Sequence, residues 1–208
     1  MGTFIGLSIY LPAYLELVLG LTASGTGLAL IPFMGGVVTG ATLAGRLMMH
    51  LRRYKRPPVI GLAVATAGLL LLAWRPTGLS LPVVEVIFAV VGVGIGTVLP
   101  VTTVAIQNAV DLHQLGTATG TMNFFRSLGG AVAVAVFGAI VLGGIVAPGA
   151  HPENLAAARE GGDIAGAFHR LFLAATAGLV LGLAWLLAMA ERPLRSGKTH
   201  AGAGMAVE

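Results

Sequence analysis

The sequence predicts an all-α integral membrane protein of six transmembrane helices, on three observations. Only 10% of its 208 residues are charged, while 56% are hydrophobic. Water-facing domains carry about 25% charged residues, so this chain is too poor in charge to coat a polar surface. Apolar runs of about 20 residues, the length that crosses a hydrocarbon core of about 30 Å, recur along the chain. Glycine supplies 31 residues, roughly twice its usual share, which suits membrane helices that approach on small side chains.

The spans fall at about 2–21, 27–49, 58–74, 82–106, 122–146 and 167–190. The first carries a single charge, Glu16. The second runs through a glycine-rich stretch to Arg46. The third is short, but Trp74 and Arg75 at its end read as an interfacial anchor. The fourth carries Glu85 near its start and Pro100 near its end. The fifth opens with Phe124, Phe125 and Arg126, and the sixth closes before Glu191. Of the connections, only 147–166 has room for an element of its own, a short surface helix over Glu153–Glu160. The tail 191–208 lacks apolar periodicity and is expected to be disordered. The opening residues lack the basic n-region of a cleavable signal.

Alternation of six spans sorts the charges. One side, with both ends of the chain, receives Arg46, Arg52, Arg53, Lys55, Arg56, Arg126, Arg192, Arg195 and Lys198; the other receives Arg75, Arg159 and Arg170. Nine cations against three is a positive-inside bias, so both termini are expected in the cytoplasm and the protein in the plasma membrane. The run "HLRRYKRPP" (His50–Pro58) is then a cytoplasmic loop that fixes orientation. Nucleic-acid binding is not expected, because a nucleic-acid face needs base-reading or stacking groups beside its cations and Tyr54 is the only aromatic there.

Several further chemistries find no support. The chain has no cysteine, hence no disulfide or thiolate site. Its five histidines show no ligand spacing, and no Ser/His/Asp arrangement or phosphate loop occurs, so neither an enzyme nor a cofactor is expected. "GVGIGT" (92–97) imitates a dinucleotide fingerprint but lies inside an apolar run without the strand and acidic residue that motif requires.

Inside the spans, four Gly-x-x-x-Gly pairs (Gly36/Gly40, Gly92/Gly96, Gly116/Gly120 and Gly178/Gly182) each place two glycines on one helix face. They read as packing surfaces or as faces that slide during a cycle. Pro12, Pro32 and Pro100 each remove a backbone hydrogen bond. Glu16, an ionisable group within a span, is a functional candidate by default; it reads as interfacial or as protonatable and cation-attracting. Arg126, at the inner mouth of the fifth span, either snorkels or lines a gate. Gln107 and Asn108, ending the fourth, either cap the helix or face a polar cavity.

These residues carry a resemblance. "YLPAYLELVLGLTASGTGLALIPFMGG" resembles the first two spans of the C-terminal half of a major facilitator superfamily exporter, closest to the fourteen-span drug:proton antiporters. "GATLAGRLMMHLRRYKR" (Gly40–Arg56) looks like that superfamily's cytoplasmic loop motif. "GVGIGTVLPVTTVAIQNAV" and "LGTATGTMNFFRSLGGAVAVAVFGAI" resemble the next pair of spans, and "ERPLR" (Glu191–Arg195) the end of the last.

The resemblance implies one half of a major facilitator fold, built of two inverted three-helix repeats, working by alternating access on small amphipathic substrates and protons. It implies that the partner is a missing N-terminal half of six to eight spans, in the same or another chain. Gly40, Gly45, Arg46, Arg53 and Lys55 match the loop motif, which holds one access state. His50 and Arg52 stand near where the family often has an acidic residue and a glycine, so no carboxylate–arginine lock within the motif is carried over. The rival expectation is a non-transporting half-subunit or degenerate fragment that needs a partner.

Overall fold

The computed structural model describes residues 1–50, 55–145 and 163–188, and every extended regular element among them is helical. Arg53, the surface helix expected over Glu153–Glu160 and the tail 191–208 lie outside the described residues. Helix α1 (Gly2–Leu17) tolerates Pro12 in its interior. It stops before Gly20, whose φ of 68° lies in the left-handed region open to glycine. Helix α2 (Ala23–Ala29) starts where the Thr22 hydroxyl accepts the Gly25 N–H at 3.3 Å. Helix α3 (Ile31–His50) follows at once.

Helix α4 (Arg56–Trp74) begins with Pro57 and Pro58 in its first turn, where a missing N–H costs nothing. Helices α5 (Leu81–Gly96) and α6 (Val98–Ala109) meet at Thr97, and a 3₁₀ turn at Leu112–Gln114 leads into α7 (Leu115–Ile145). Helix α8 (Ile164–Ala188) completes the described chain.

Three expectations need correction. Among the described residues, five helical stretches are long and apolar enough to cross a membrane by length and composition: Ala23–Met48, Arg56–Trp74, Leu81–Ala109, Leu112–Gly144 and Ile164–Ala188. The sixteen residues of α1 reach about 24 Å at 1.5 Å each, short of the span expected over 2–21. The fifth span starts well before residue 122, because "LGTATGT" carries neither proline nor charge and simply continues the helix outward. Lastly, the second and fourth spans are two-piece rods. Pro32 and Pro100 stand in the first turn of α3 and α6, so each break falls just upstream of a proline.

What brings these helices together is small residues. Burying leucine against leucine gains little when lipid tails are equally apolar, so close packing and hydrogen bonds carry association. The Gly36/Gly40 pair of α3 meets the Gly92/Gly96 pair of α5 reciprocally. A methyl group on Gly36 or Gly40 would fall on the carbonyls of Ala89 or Val93, and one on Gly92 or Gly96 on those of Phe33 or Val37. Gly61 of α4 and Gly94 of α5 make a second crossing of this kind, with the Thr97 hydroxyl beside Gly61 turned onto the Gly94 carbonyl at 2.6 Å. Gly2 and Gly6 of α1 lie on Gly129 and Phe137 of α7. The packing reading therefore holds for two of the four pairs. Gly116, Gly120 and Gly182 face open space, and Gly178 alone of those four is contacted, by Thr3.

Away from the basic loop, aromatic rings fill the core. Tyr14, fully buried, has its ring 5.1 Å from Phe172 and 5.4 Å from Phe168. Phe88 bridges from Tyr14 to Phe33. The Tyr14 hydroxyl donates to the Pro76 carbonyl at 2.8 Å, and His169 Nδ1 lies 2.5 Å from the Ala73 carbonyl. Both bonds clamp the end of the bundle where α4 finishes and α8 begins.

The glycine contacts generate a prediction of opposite signs. Gly40→Ala and Gly96→Ala push a Cβ to within 2.9 Å of backbone atoms of Val93 and Val37 respectively, and each is expected to lose about 1–3 kcal/mol. Gly45→Ala and Gly116→Ala meet no atom within 4 Å and are expected to gain about 0.5–1 kcal/mol from helix propensity. Thermal unfolding of the four variants in one detergent decides it; equal shifts would show that the α3–α5 contact is not tight.

Candidate functional site

The expected site residues are placed as follows. Gly40 is buried in the contact with α5, so its role in the fold is packing. Gly45 has open space beside it, and Arg46 projects from the next position, exposed. Lys55 caps α4 and is half-buried. Glu16 is exposed, one residue before the end of α1. Gln107 is exposed and Asn108 half-buried in the last turn of α6.

Arg126 is the twelfth residue of α7 rather than its first turn. It is half-buried, 3.7 Å from the Met122 sulfur and about one turn before Gly129, against which Gly2 of α1 packs. That sets Arg126 level with the start of α1, whereas Glu16 lies at the other end of that helix. The two do not pair; the one ion pair among the described residues is Arg170–Asp163 at 4.0 Å.

Sequence reasoning passed over a pattern that the structure makes plain. On α3, Gly35, Thr39, Thr42 and Arg46 follow at spacings of four, three and four, which puts them on one face, and all four are exposed. The Thr39 and Thr42 hydroxyls donate to the Gly35 and Val38 carbonyls at 2.7 and 2.8 Å, leaving oxygen lone pairs outward. On α7, Gly116, Gly120, Asn123 and Ser127 form a similar exposed stripe. The side chains of Asn123 and Ser127 have no hydrogen-bond partner among the described residues. The spacing was present in the sequence, but it emerges as a signal only once the opposite face of α3 is known to be filled by α5.

Most polar exposed side chains within the helices belong to α1, α3, α6 and α7; the others are Ser24 of α2, Arg56 in the first turn of α4 and Arg170 in the second turn of α8. Helices α1, α3, α6 and α7 adjoin: Phe4 stacks on Phe33 with ring centroids 6.2 Å apart, Ala44 packs with Val101, and the Tyr10 hydroxyl donates to the Val134 carbonyl at 3.2 Å. A hollow of about 440 Å³ between α6 and α7 is lined by Ile106, Ala118, Thr121, Met122 and Phe125. Past its first turn α4 exposes only apolar groups, among them Ile60, Val64 and Leu71, and past Arg170 α8 exposes only apolar groups and glycine, among them Val180 and Trp185. A separate cavity of about 510 Å³, walled by Thr3, Phe4, Leu62, Ile95, Thr102 and Trp185, sits between α1, α4, α5, α6 and α8. It contains none of the expected site residues.

Unpaired amides and hydroxyls are costly against hydrocarbon and tolerated where they meet protein or water. The face of α1, α3, α6 and α7 therefore fits a water-filled path or a second membrane domain, and the faces of α4 and α8 fit lipid. No cluster of three metal-ligating side chains occurs among the described residues, and neither polar stripe pairs a nucleophile with a base.

Residues 1–134 match the Major Facilitator Superfamily profile. Over 141 residues the chain is 29% identical to the "Multidrug transporter protein MdtP" of Bacillus subtilis, covering 68% of this chain and 26% of that one. It is 34% identical over 128 residues to the "Tetracycline resistance determinant" of Streptomyces rimosus, covering 61% and 36%. It is 28% identical over 139 residues to "Multidrug resistance protein 3" of Bacillus subtilis, covering 67% and 27%. The chain thus aligns with between about a quarter and a third of the length of these relatives.

Because the chain has no cysteine, single cysteines report their surroundings cleanly. Thr42→Cys and Ser127→Cys are expected to react with a water-soluble maleimide in membranes at least about tenfold faster than Val64→Cys and Leu181→Cys, since thiolate forms only where water reaches. Equal labelling at all four positions would remove the distinction between the two kinds of face.

Proposed function

The chain belongs to the major facilitator superfamily, and on that premise we propose that it is the C-terminal six-helix half of a proton-coupled exporter of amphipathic, drug-like compounds. The observation that carries this reading is the concentration of exposed polar side chains on four adjoining helices, with lipid-compatible faces on α4 past Arg56 and on α8 past Arg170. Substrate would pass along that polar face, between this half and an N-terminal half of six to eight spans. In alternating access the two halves rock about the bound substrate, a proton entering as substrate leaves. The likeness to a multidrug transporter and a tetracycline resistance determinant supports a drug substrate, and the family's chemistry is transport rather than catalysis.

The helix pairing supports two inverted repeats, α1 to α4 and α5 to α8. Exchanging the repeats turns the α1–α7 contact into α5–α3, and both are made on glycine: Gly2 on Gly129 in one, Gly36 on Ala89 in the other. The same exchange turns α4–α5 into α8–α1 and maps α4–α8 onto itself, and each of these contacts is present. The excess of cations on the side of Arg46, Lys55 and Arg56 supports cytoplasmic termini in a plasma-membrane protein.

Within this scheme the loop residues Gly45, Arg46, Arg53 and Lys55 hold one access state at the cytoplasmic face. Glu16 accepts the coupling proton near the outer end of α1. Arg126 stands at the inner end of the path, with Gln107 and Asn108 at the cytoplasmic end of α6.

In the complete transporter, Glu16→Gln is expected to lower proton-driven dye efflux from everted vesicles by at least about tenfold, with dye binding retained. Undiminished efflux would take Glu16 out of the coupling step. The isolated 208 residues are expected not to transport; proton-dependent dye efflux from vesicles holding them alone would overturn the half-transporter reading. If neither form transports, the non-transporting half-subunit becomes the better description.

A further inference from the structure

A groove of about 480 Å³ runs between α3, α4 and α5, away from the polar face. Its walls are Leu43 and Leu47 of α3, Ile60 and Val64 of α4, and Val90 and Val93 of α5. The floor is thin because Gly61 and Gly94 cross there without side chains, and the one hydroxyl, that of Thr97, is already spent on the Gly94 carbonyl at 2.6 Å. Nothing in the groove asks for a polar ligand. Leu43, Leu47, Ile60 and Val64 are exposed, so its open side faces whatever surrounds the helices.

The mouth is chemically different. Arg46 precedes Leu47, while Lys55 and Arg56 precede Pro57, and both Leu47 and Pro57 line the groove. Arg46 and Arg56 are exposed. From Arg46 to Pro58 the sequence contains no acidic residue, and none of these three cations has a carboxylate within 4.0 Å among the described residues. An apolar slot open to the bilayer, headed by unpaired cations at the interface, has the polarity of one lipid molecule. Cations just outside a membrane span attract anionic headgroups.

We propose that this groove holds an acyl chain of an anionic phospholipid, whose headgroup phosphate is bound by Arg56 and Lys55 with Arg46 on the α3 flank. The glycine crossing that lets α4 and α5 touch leaves the space the chain fills. The lipid thereby joins α3 to α4, which touch each other little directly and are linked by the basic loop. The site rests only on α3, α4 and α5 lying in a bilayer, and stands or falls separately from transport.

The test is native mass spectrometry of the full chain, released from detergent micelles holding equal amounts of phosphatidylglycerol and phosphatidylcholine. One phosphatidylglycerol is expected to stay bound with about tenfold preference. The double variant Lys55→Gln/Arg56→Gln is expected to erase the preference. Val64→Phe, which fills the slot, is expected to lower retention of both lipids, whereas Leu181→Phe on α8 leaves it unchanged. Where Val64→Phe does not elute like the parent protein, Val90→Phe on the opposite wall takes its place. Equal retention of the two lipids, a preference that survives the double variant, or retention that survives the filled groove would each overturn the proposal. So would displacement by inorganic phosphate, which would mark a site for a free anion, or a second copy of the chain bound instead of lipid.

Discussion

Everything in this structure depends on two backbones being allowed to touch. Where α3 crosses α5, carbonyl oxygens occupy the volume that side chains would take, and they can do so only because residues 36, 40, 92 and 96 are glycine. In water such a contact would be a minor supplement to apolar burial. In hydrocarbon, where burial of one leucine against another replaces an equivalent contact with lipid, it becomes a principal source of cohesion. The crossing fixes α3 and α5 as one unit, and α4 is then laid on α5 by the same device at Gly61 and Gly94. With its inner face committed, α3 has no choice but to turn Thr39, Thr42 and Arg46 outward.

The class of fold was legible from composition, because apolarity at this level leaves few alternatives, and all four glycine pairs lie within helices. Boundaries were less legible, for a physical reason. Hydropathy reports where a helix leaves lipid, not where hydrogen bonding stops, so "LGTATGT" read as a loop although it extends α7 by two turns. The same cause displaced Arg126, which reads as a span mouth in hydropathy and stands in the twelfth position of the helix. In α1 the error ran the other way: "VLGL" is apolar enough to prolong a span, but Gly20 takes a left-handed conformation and the chain turns.

The candidate site was legible in part. Single ionisable groups attract notice in an apolar sequence, which is why Glu16 and Arg126 were found. The threonines of α3 and the Asn123/Ser127 stripe were missed because isolated hydroxyls and amides are unremarkable until exposure shows that they share a face. Gly40 shows the opposite failure. A loop-motif resemblance marks it as functional, and its position against Val93 shows that it is first a packing residue; the two roles coincide if the loop must stay close to α5.

The two ends of the bundle are unequally fastened. Tyr14 and His169 tie α1 to the loop at Pro76 and α8 to the last turn of α4, while the described residues at the Arg56 end hold no comparable bond between helices. Such a body behaves as a fork, rigid at the handle and compliant at the tines. Amide exchange along α4 should therefore run as a gradient, the turns just past Pro58 trading protons well before those around Leu72, and a flat profile would mean that the tines are braced by something else. A body built like this has its pivot supplied in advance, and motion delivered to the basic end is spent there before it reaches the aromatic cluster.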